Sequence, residues 1–435
     1  MLSKVEKNKK SSEGYIRVRK CKDISEYRLT NGLTVLYKRI RGTGVVTTNI
    51  TYKVGSRDEE VGQTGLAHML EHMLFKPTKN DLKKKIDSGA MQFERETGSI
   101  LNATTWKDRT TYFFSYPKEY VDRALSIEAD RMEHVVISDV EFLPEQGNVL
   151  SEFDMLMGDP HFALCSTMLS TAFFSHPYGH ETIGFREDIE RFTAQSLTNF
   201  YELYYVPQNA TLMIIGDIEE EDALQKAVLY FGNIRTKRIL PSRVEVVEPK
   251  QEGIRRVEVK REAISNLVAL GVKHEGFPSK EWFTTMALFS ILTNGQDSIL
   301  HKQLVDSGLA ISVEGMTEPS KDTNLGIVLI TLSSKSDHTT IEKIVRNCIQ
   351  NLTVRDVQKH YKKVQQRLIT DELLGRGSSL QIAMELTEYV SADAWEKYFE
   401  TEEILKSITA TDIVKKASSL FREENLTVGY FIGNS

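Results

Sequence analysis

Two helix-to-strand junctions, half a chain apart, constrain this 435-residue sequence more than any other feature. One reads Asn209-Ala-Thr-Leu-Met-Ile-Ile-Gly-Asp217 and the other Asn425-Leu-Thr-Val-Gly-Tyr-Phe-Ile-Gly-Asn434. Each is an asparagine, a threonine two residues on, an apolar strand, then glycine and a short polar residue, and each follows a helical stretch. Asn209 and Asn425 stand 216 residues apart, which implies a duplicated unit of roughly 210 residues. The stretch from Asn233 to Gly253 is rich in Arg, Lys and Glu, carries Pro241 and Pro249, and has no amphipathic period, so it reads as a linker. The expected organisation is therefore a domain at 1–232, a linker at 233–253 and a homologous domain at 254–435. Within the first half, Thr30–Lys38 reads as a turn and strand, and Val45–Val54 and Arg109–Tyr116 as further strands. Leu66–Phe75 and Tyr120–Val135 read as helices. Strands and helices are interspersed without a Gly-rich phosphate loop. The expected class is α+β, with a mostly antiparallel sheet packed with helices in each half.

Composition narrows the function. The formal charge is −6 and no long basic stripe offsets it, which argues against nucleic acid as a partner. The short basic clusters, Lys4, Lys7, Lys9 and Lys10 and the run Lys83–Lys85, read as solvated faces. Cys21, Cys165 and Cys348 are too scattered for a disulfide framework or a CxxC site, which suits a reducing compartment. The N-terminal MLSKVEKNKKSSEGY lacks the apolar core of a secretory signal, and no run approaches the ~18 apolar residues of a membrane span. The sequence thus predicts a soluble, cytoplasmic chain without a membrane partner.

The chemistry concentrates in Gly65-Leu-Ala-His68-Met-Leu-Glu71-His72-Met-Leu-Phe75. On a helix, residues four apart share a face one turn apart, so both imidazoles can reach one ion. Glu71, three residues after His68, sits beside that ion and can take a proton from a water held there. The apolar residues around the trio predict a buried helix, where a charged glutamate is costly without a role. Two histidines are too few for a catalytic zinc site, so a third ligand is needed. A second acidic helix, Leu143-Pro-Glu145-Gln-Gly-Asn-Val-Leu-Ser-Glu152-Phe, offers Glu145 and Glu152, two turns apart on one face. Either could ligate while the other holds a ligand in place.

The inverted motif His68-x-x-Glu71-His72, followed some eighty residues later by Glu145 and Glu152, resembles the pitrilysin/insulinase family of inverted zinc peptidases, the inverzincins. The likeness is closest to its two-domain, processing-peptidase-like branch. It continues through Leu101-Asn102-Ala103-Thr104-Thr105 with Asp108, Thr110 and Tyr112, then Glu128-Ala-Asp-Arg131-Met132. After Glu152 come Asp159-Pro160, His176-Pro177-Tyr178-Gly179, Tyr204-Tyr-Val-Pro207 and Gly216-Asp217. The second half matches through Gly308-Leu309-Ala310 and the closing strand, without a metal motif.

The resemblance implies that His68, His72 and Glu152 bind Zn2+, that Glu71 activates water, and that Glu145 supports the site. It implies that Asn102 and Ala103 lie on an edge strand that takes a peptide as an added strand. The implied activity is a zinc metalloendopeptidase hydrolysing peptides or unfolded segments in an enclosed chamber. Two departures stand out. Gly98-Ser99-Ile100 precedes Asn102 where many relatives have paired glycines. Many self-sufficient relatives also carry an Arg and a Tyr around the Gly-Leu-Ala turn, where this chain has Val305 and Ile311. The chain therefore resembles a metal-bearing subunit that works with a homologous partner carrying the Arg–Tyr pair, or as a homodimer. Two other readings remain: a silent core subunit of a larger assembly, and a protease dedicated to maturing one peptide precursor.

Overall fold

In the computed structural model, residues 14–235, 240 and 245–434 are described. The N-terminal basic cluster and part of the charged linker, Pro241 included, lie outside the described residues.

The Asn31-Gly32 turn illustrates how local sequence sets the elements. Gly32 takes φ +94°, a conformation L side chains resist, and Asn31 Oδ1 accepts the Leu33 amide at 3.2 Å. Strand β3 can then begin at Thr34. The first sheet contains β1 (Tyr15–Cys21), β2 (Ile24–Leu29), β3 (Thr34–Arg39), β4 (Val45–Tyr52), β5 (Ile100–Thr105), β6 (Thr110–Pro117) and β7 (Ala210–Gly216). The second contains β8 (Arg255–Arg261), β9 (Leu267–His274), β10 (Ala310–Met316), β11 (Asn324–Leu332) and β12 (Leu426–Gly433). Their orders are β1-β2-β3-β7-β4-β6-β5 and β10-β11-β9-β12-β8.

The duplication is visible in that order. The run β3-β7-β4-β6-β5 is repeated as β8-β12-β9-β11-β10. Each sheet has one parallel pair among antiparallel neighbours, β3 with β7 and β8 with β12. Helices Ala194–Tyr204 and Ala410–Leu420 precede the two junctions, capped by Thr193 and Thr409 through matching capping boxes. Asn209 Nδ2 donates to Tyr204 O at 3.0 Å, and Asn425 Nδ2 to Leu420 O at 2.9 Å. Both asparagines thus satisfy a carbonyl at a helix end that would otherwise lack a partner.

Packing divides the chain differently from the contiguous halves 1–232 and 254–435. One compact unit is built from the described residues of Met1–Gly147, Asp188–Arg243 and Gly375–Ser391. The other is built from Asn148–Glu187, Val244–Leu374 and Ala392–Ser435. The Pro160–Ala172 helix, capped by Asp159, therefore packs on the second sheet, where Leu164, Met168 and Leu169 join Leu267, Ala269, Leu325 and Phe431 in one core. Fully buried side chains of this size contribute about 1.5–3 kcal/mol each. Gly429 marks how closely the helix sits. A Cβ there would stand 2.5 Å from Met168 Sδ, an overpacking that costs about 1–3 kcal/mol. In turn, the Ser379–Ser391 helix serves the first sheet, with Asn49 Nδ2 donating to Thr387 Oγ1 at 3.1 Å.

Candidate metal centre

The motif helix runs from Leu66 to Met73 and buries Leu66, Ala67, Met69, Leu70 and Met73. Its start is fixed by Gly65 at φ +97° and by a carboxylate rather than a capping hydroxyl. Glu59 accepts the Gly65 amide at 2.9 Å and the Ala67 amide at 2.8 Å. Desolvation pushes the Glu59 carboxyl well up, against those two hydrogen bonds. Asp188 holds the preceding residue, accepting from both the amide and the hydroxyl of Thr64. These anchors fix the rotation of a helix of eight residues, too short to hold its own place.

His68 and His72 consequently face the same way, with ring centroids 4.8 Å apart. Desolvation of its ring, with His72 beside it, pushes His68 down to about 4, so it is neutral and has a lone pair to donate. The second acidic helix spans Asp139–Gly158, beginning four residues before the predicted start. It runs past Gly147 as one element, so Glu145 and Glu152 are placed by the same helix. The two carboxylates have different neighbours. Glu145 Oε1 lies 2.8 Å from His72 Nδ1, and its Oε2 lies 2.5 Å from Lys76 Nζ. Burial alone would raise the Glu145 carboxyl, but its hydrogen bonds to Lys76 and His72 outweigh that and hold it below its ordinary value. The bond to Nδ1 orients the His72 ring and leaves Nε2 as the available donor atom.

Glu152 lies two turns further on. Ligand atoms of His68, His72 and Glu152 all come within 4.8 Å of one another. Among the described residues they are the group of three or more that could hold a metal ion. Two imidazole nitrogens and one carboxylate oxygen at this spacing fit zinc, whose bonds to such atoms are about 2.0–2.2 Å. Glu71, on the same helix, has its Oε2 hydrogen-bonded by Thr105 Oγ1, the last residue of β5.

Strand β5 pairs with β6 alone and forms an edge of the first sheet. Asn102 and Ala103 sit on it opposite Phe113 and Tyr112. Ala103 is buried, and its amide donates to Asn102 Oδ1 at 2.8 Å. Asn102 therefore presents its carboxamide along its own backbone. Tyr178 and His176 belong to the core of the second unit, where the Tyr178 hydroxyl accepts the Asp322 amide. The Tyr204 hydroxyl donates to Asp58 O at 3.3 Å. Sequence reasoning missed Glu59 and Lys76, and named Thr105 in the matched segment without its contact to Glu71. Lys76 left a signal too, lying one helical turn after His72.

Residues 34–185 match the family described as Insulinase (Peptidase family M16), and residues 191–374 match the one described as Peptidase M16 inactive domain. A zinc protease named PqqE from Helicobacter pylori is 28% identical over 406 residues, covering 92% of this chain and 90% of that protein. A probable mitochondrial-processing peptidase subunit beta from Schizosaccharomyces pombe is 24% identical over 418 residues, covering 92% and 89%. Among solved structures, a protease from Helicobacter pylori superposes with TM-score 0.88 at 26% identity, covering 95% of this chain and all of that one (100%).

Proposed function

The chain belongs to the insulinase family of peptidases, M16, and on that premise we propose that it is a zinc metalloendopeptidase acting on peptides or unfolded segments. The observation that carries the proposal is the meeting of His68, His72 and Glu152 within ligand distance of one ion, with Glu71 on the same helix. When bound, zinc acts as a Lewis acid on the peptide carbonyl and lowers the pKa of water. His68, His72 and Glu152 hold it, and Glu145 orients His72. Glu71 accepts the proton of the attacking water, while Thr105 holds its other oxygen so that one lone pair is aimed. An extended substrate adds to the free edge of β5 beside Asn102 and Ala103. The direct test is metal analysis with a mixed-peptide cleavage assay, on the chain alone and on the complex drawn from cells. Bound zinc without turnover in either form would favour a silent core subunit instead.

Glu145→Gln keeps the volume but removes the charge that Lys76 and His72 share, so zinc affinity should fall about 10–100-fold. Competition with a chelator of known affinity measures it. Unchanged affinity would remove Glu145 from the site.

The partner follows from what the second sheet lacks. Val305 ends the His301–Val305 helical turn, and Ile311 projects from edge strand β10, 67% exposed. Neither can donate to the oxyanion formed by attack on a peptide carbonyl, a contribution worth roughly 2.7–4 kcal/mol per donor. We infer that a homologous subunit carrying the Arg–Tyr pair, or a homodimer of this chain, completes an enclosed chamber. The purified chain should bind zinc yet turn over slowly, with Val305→Arg and Ile311→Tyr together recovering a small part of the rate. Full activity from the isolated wild-type chain would refute this. No disulfide joins Cys21, Cys165 and Cys348 among the described residues, in accord with a reducing compartment such as the cytoplasm. No helix among the described residues is long and apolar enough to cross a membrane.

A further inference from the structure

A buried charge stands at the end of β5, apart from the residues of the metal centre. Arg109 is 2% exposed and closes the turn that joins β5 to β6, its carbonyl accepting the Trp106 amide at 2.8 Å. Burying a guanidinium is costly unless its donors are met. Here all three nitrogens are engaged. Nε donates to Glu388 Oε1 at 3.1 Å, and Nη2 donates to the same oxygen. Nη1 donates to Thr104 O at 3.2 Å and to Thr104 Oγ1 at 2.6 Å. Glu388 lies on the Ser379–Ser391 helix, which the later part of the sequence supplies to the first unit.

The place of this grip matters because β5 is an edge. A strand with one neighbour holds its end loosely, and Thr105 is the last residue of β5. Successive side chains of a strand point to opposite faces. Fixing both the carbonyl and the hydroxyl of Thr104 therefore sets the direction of Thr105, whose hydroxyl donates to Glu71 Oε2 on the other face. The tip of the turn is anchored separately. The Ser56 and Arg57 amides donate to Trp106 O and Lys107 O at 3.1 and 3.0 Å, and Arg57 pairs with Asp108 at 2.9 Å. Those contacts hold the tip, whereas Arg109 reaches back onto β5 itself.

We propose that Arg109, braced by Glu388, is a positioning residue of the peptidase reaction: it fixes the end of β5 so that Thr105 aims the Glu71 carboxylate. The inference rests on Glu71 being the base. Through Glu388, a helix from late in the sequence then governs the base without touching it.

Steady-state cleavage by the partnered complex and hydrogen exchange of the zinc-free chain test this together. Arg109→Lys keeps the charge but loses the planar fork that serves Glu388 and Thr104 at once. It should lower kcat about 10–100-fold, the effect of misplacing a group by ~1 Å, with KM within about 2-fold and zinc retained. Glu388→Gln keeps its volume, and its side chain is 23% exposed, so it should fold and lower kcat at least ~3-fold. Thr105→Val should cost about as much as Arg109→Lys, and Thr105→Ser should keep most of the rate. Arg109→Lys added to Thr105→Val should cost little more, because both act through one hydroxyl. Exchange of the Ile100–Thr105 amides should quicken in Arg109→Lys and Glu388→Gln. Arg256→Lys, which loosens the Arg256–Glu342 pair of the second sheet, should alter none of these. Costs that add in the double variant would overturn the proposal, as would unaltered exchange in β5. Glu71→Gln tells its failure from that of the reading beneath it. Lost turnover there with unchanged kcat in Arg109→Lys sinks the positioning role alone, whereas near-normal turnover in Glu71→Gln sinks both.

Discussion

Glu71→Gln is expected to leave zinc bound and lower kcat by about 10²–10⁴-fold, the range that a positioned general base supplies. The amide keeps the volume of the carboxylate and can still accept from Thr105, so the helix and its two histidines stay in place. What it lacks is a lone pair basic enough to take the proton of the attacking water. The loss should appear in kcat, with KM little changed, because the edge of β5 is untouched. Zinc content by metal analysis and single-turnover cleavage, both on the partnered complex, separate the two effects. Near-normal turnover would end the assignment of Glu71 as base.

The second large effect is expected at Glu152. Glu152→Gln replaces the only charged ligand of the proposed three with a neutral amide, a poor donor to zinc, and metal content should fall from about one equivalent to a trace. Activity falls with it, but the metal measurement stands independently of any substrate. Glu145 cannot take over in place, because its two oxygens are engaged by His72 and Lys76. The pair of variants therefore discriminates: Glu152→Gln empties the site and Glu145→Gln loosens it. Equal metal content in wild type and Glu152→Gln would show that the third ligand lies elsewhere.

The sequence could disclose the parts of this centre that depend on helical periodicity. Two histidines four apart and two glutamates seven apart each share a face whatever surrounds them, because 3.6 residues per turn is a property of the backbone. The same holds for the paired junctions at Asn209 and Asn425, whose strands occupy matching places in the two sheets. The family resemblance added the roles, and the match to the insulinase models supports the family.

What periodicity cannot carry is identity of partner. Glu145 and Glu152 have the same chemistry and lie on the same face, so their spacing could not say which would bind the imidazole edge. That was decided by the position of Lys76 and His72 across a gap of some seventy residues. The hydrogen bond from Thr105 to Glu71 likewise joins a strand end to a helix through the fold alone. The exchange of the Pro160–Ala172 and Ser379–Ser391 helices between units was equally hidden, since an apolar helix face fits any sheet of matching shape. The sequence by itself determined that two same-face histidines, a glutamate between them and two same-face carboxylates exist in this chain. Only tertiary structure decided which carboxylate meets His72 Nδ1, which one lies with both histidines, and which sheet each helix serves, because those outcomes depend on distances between segments that no local rule relates.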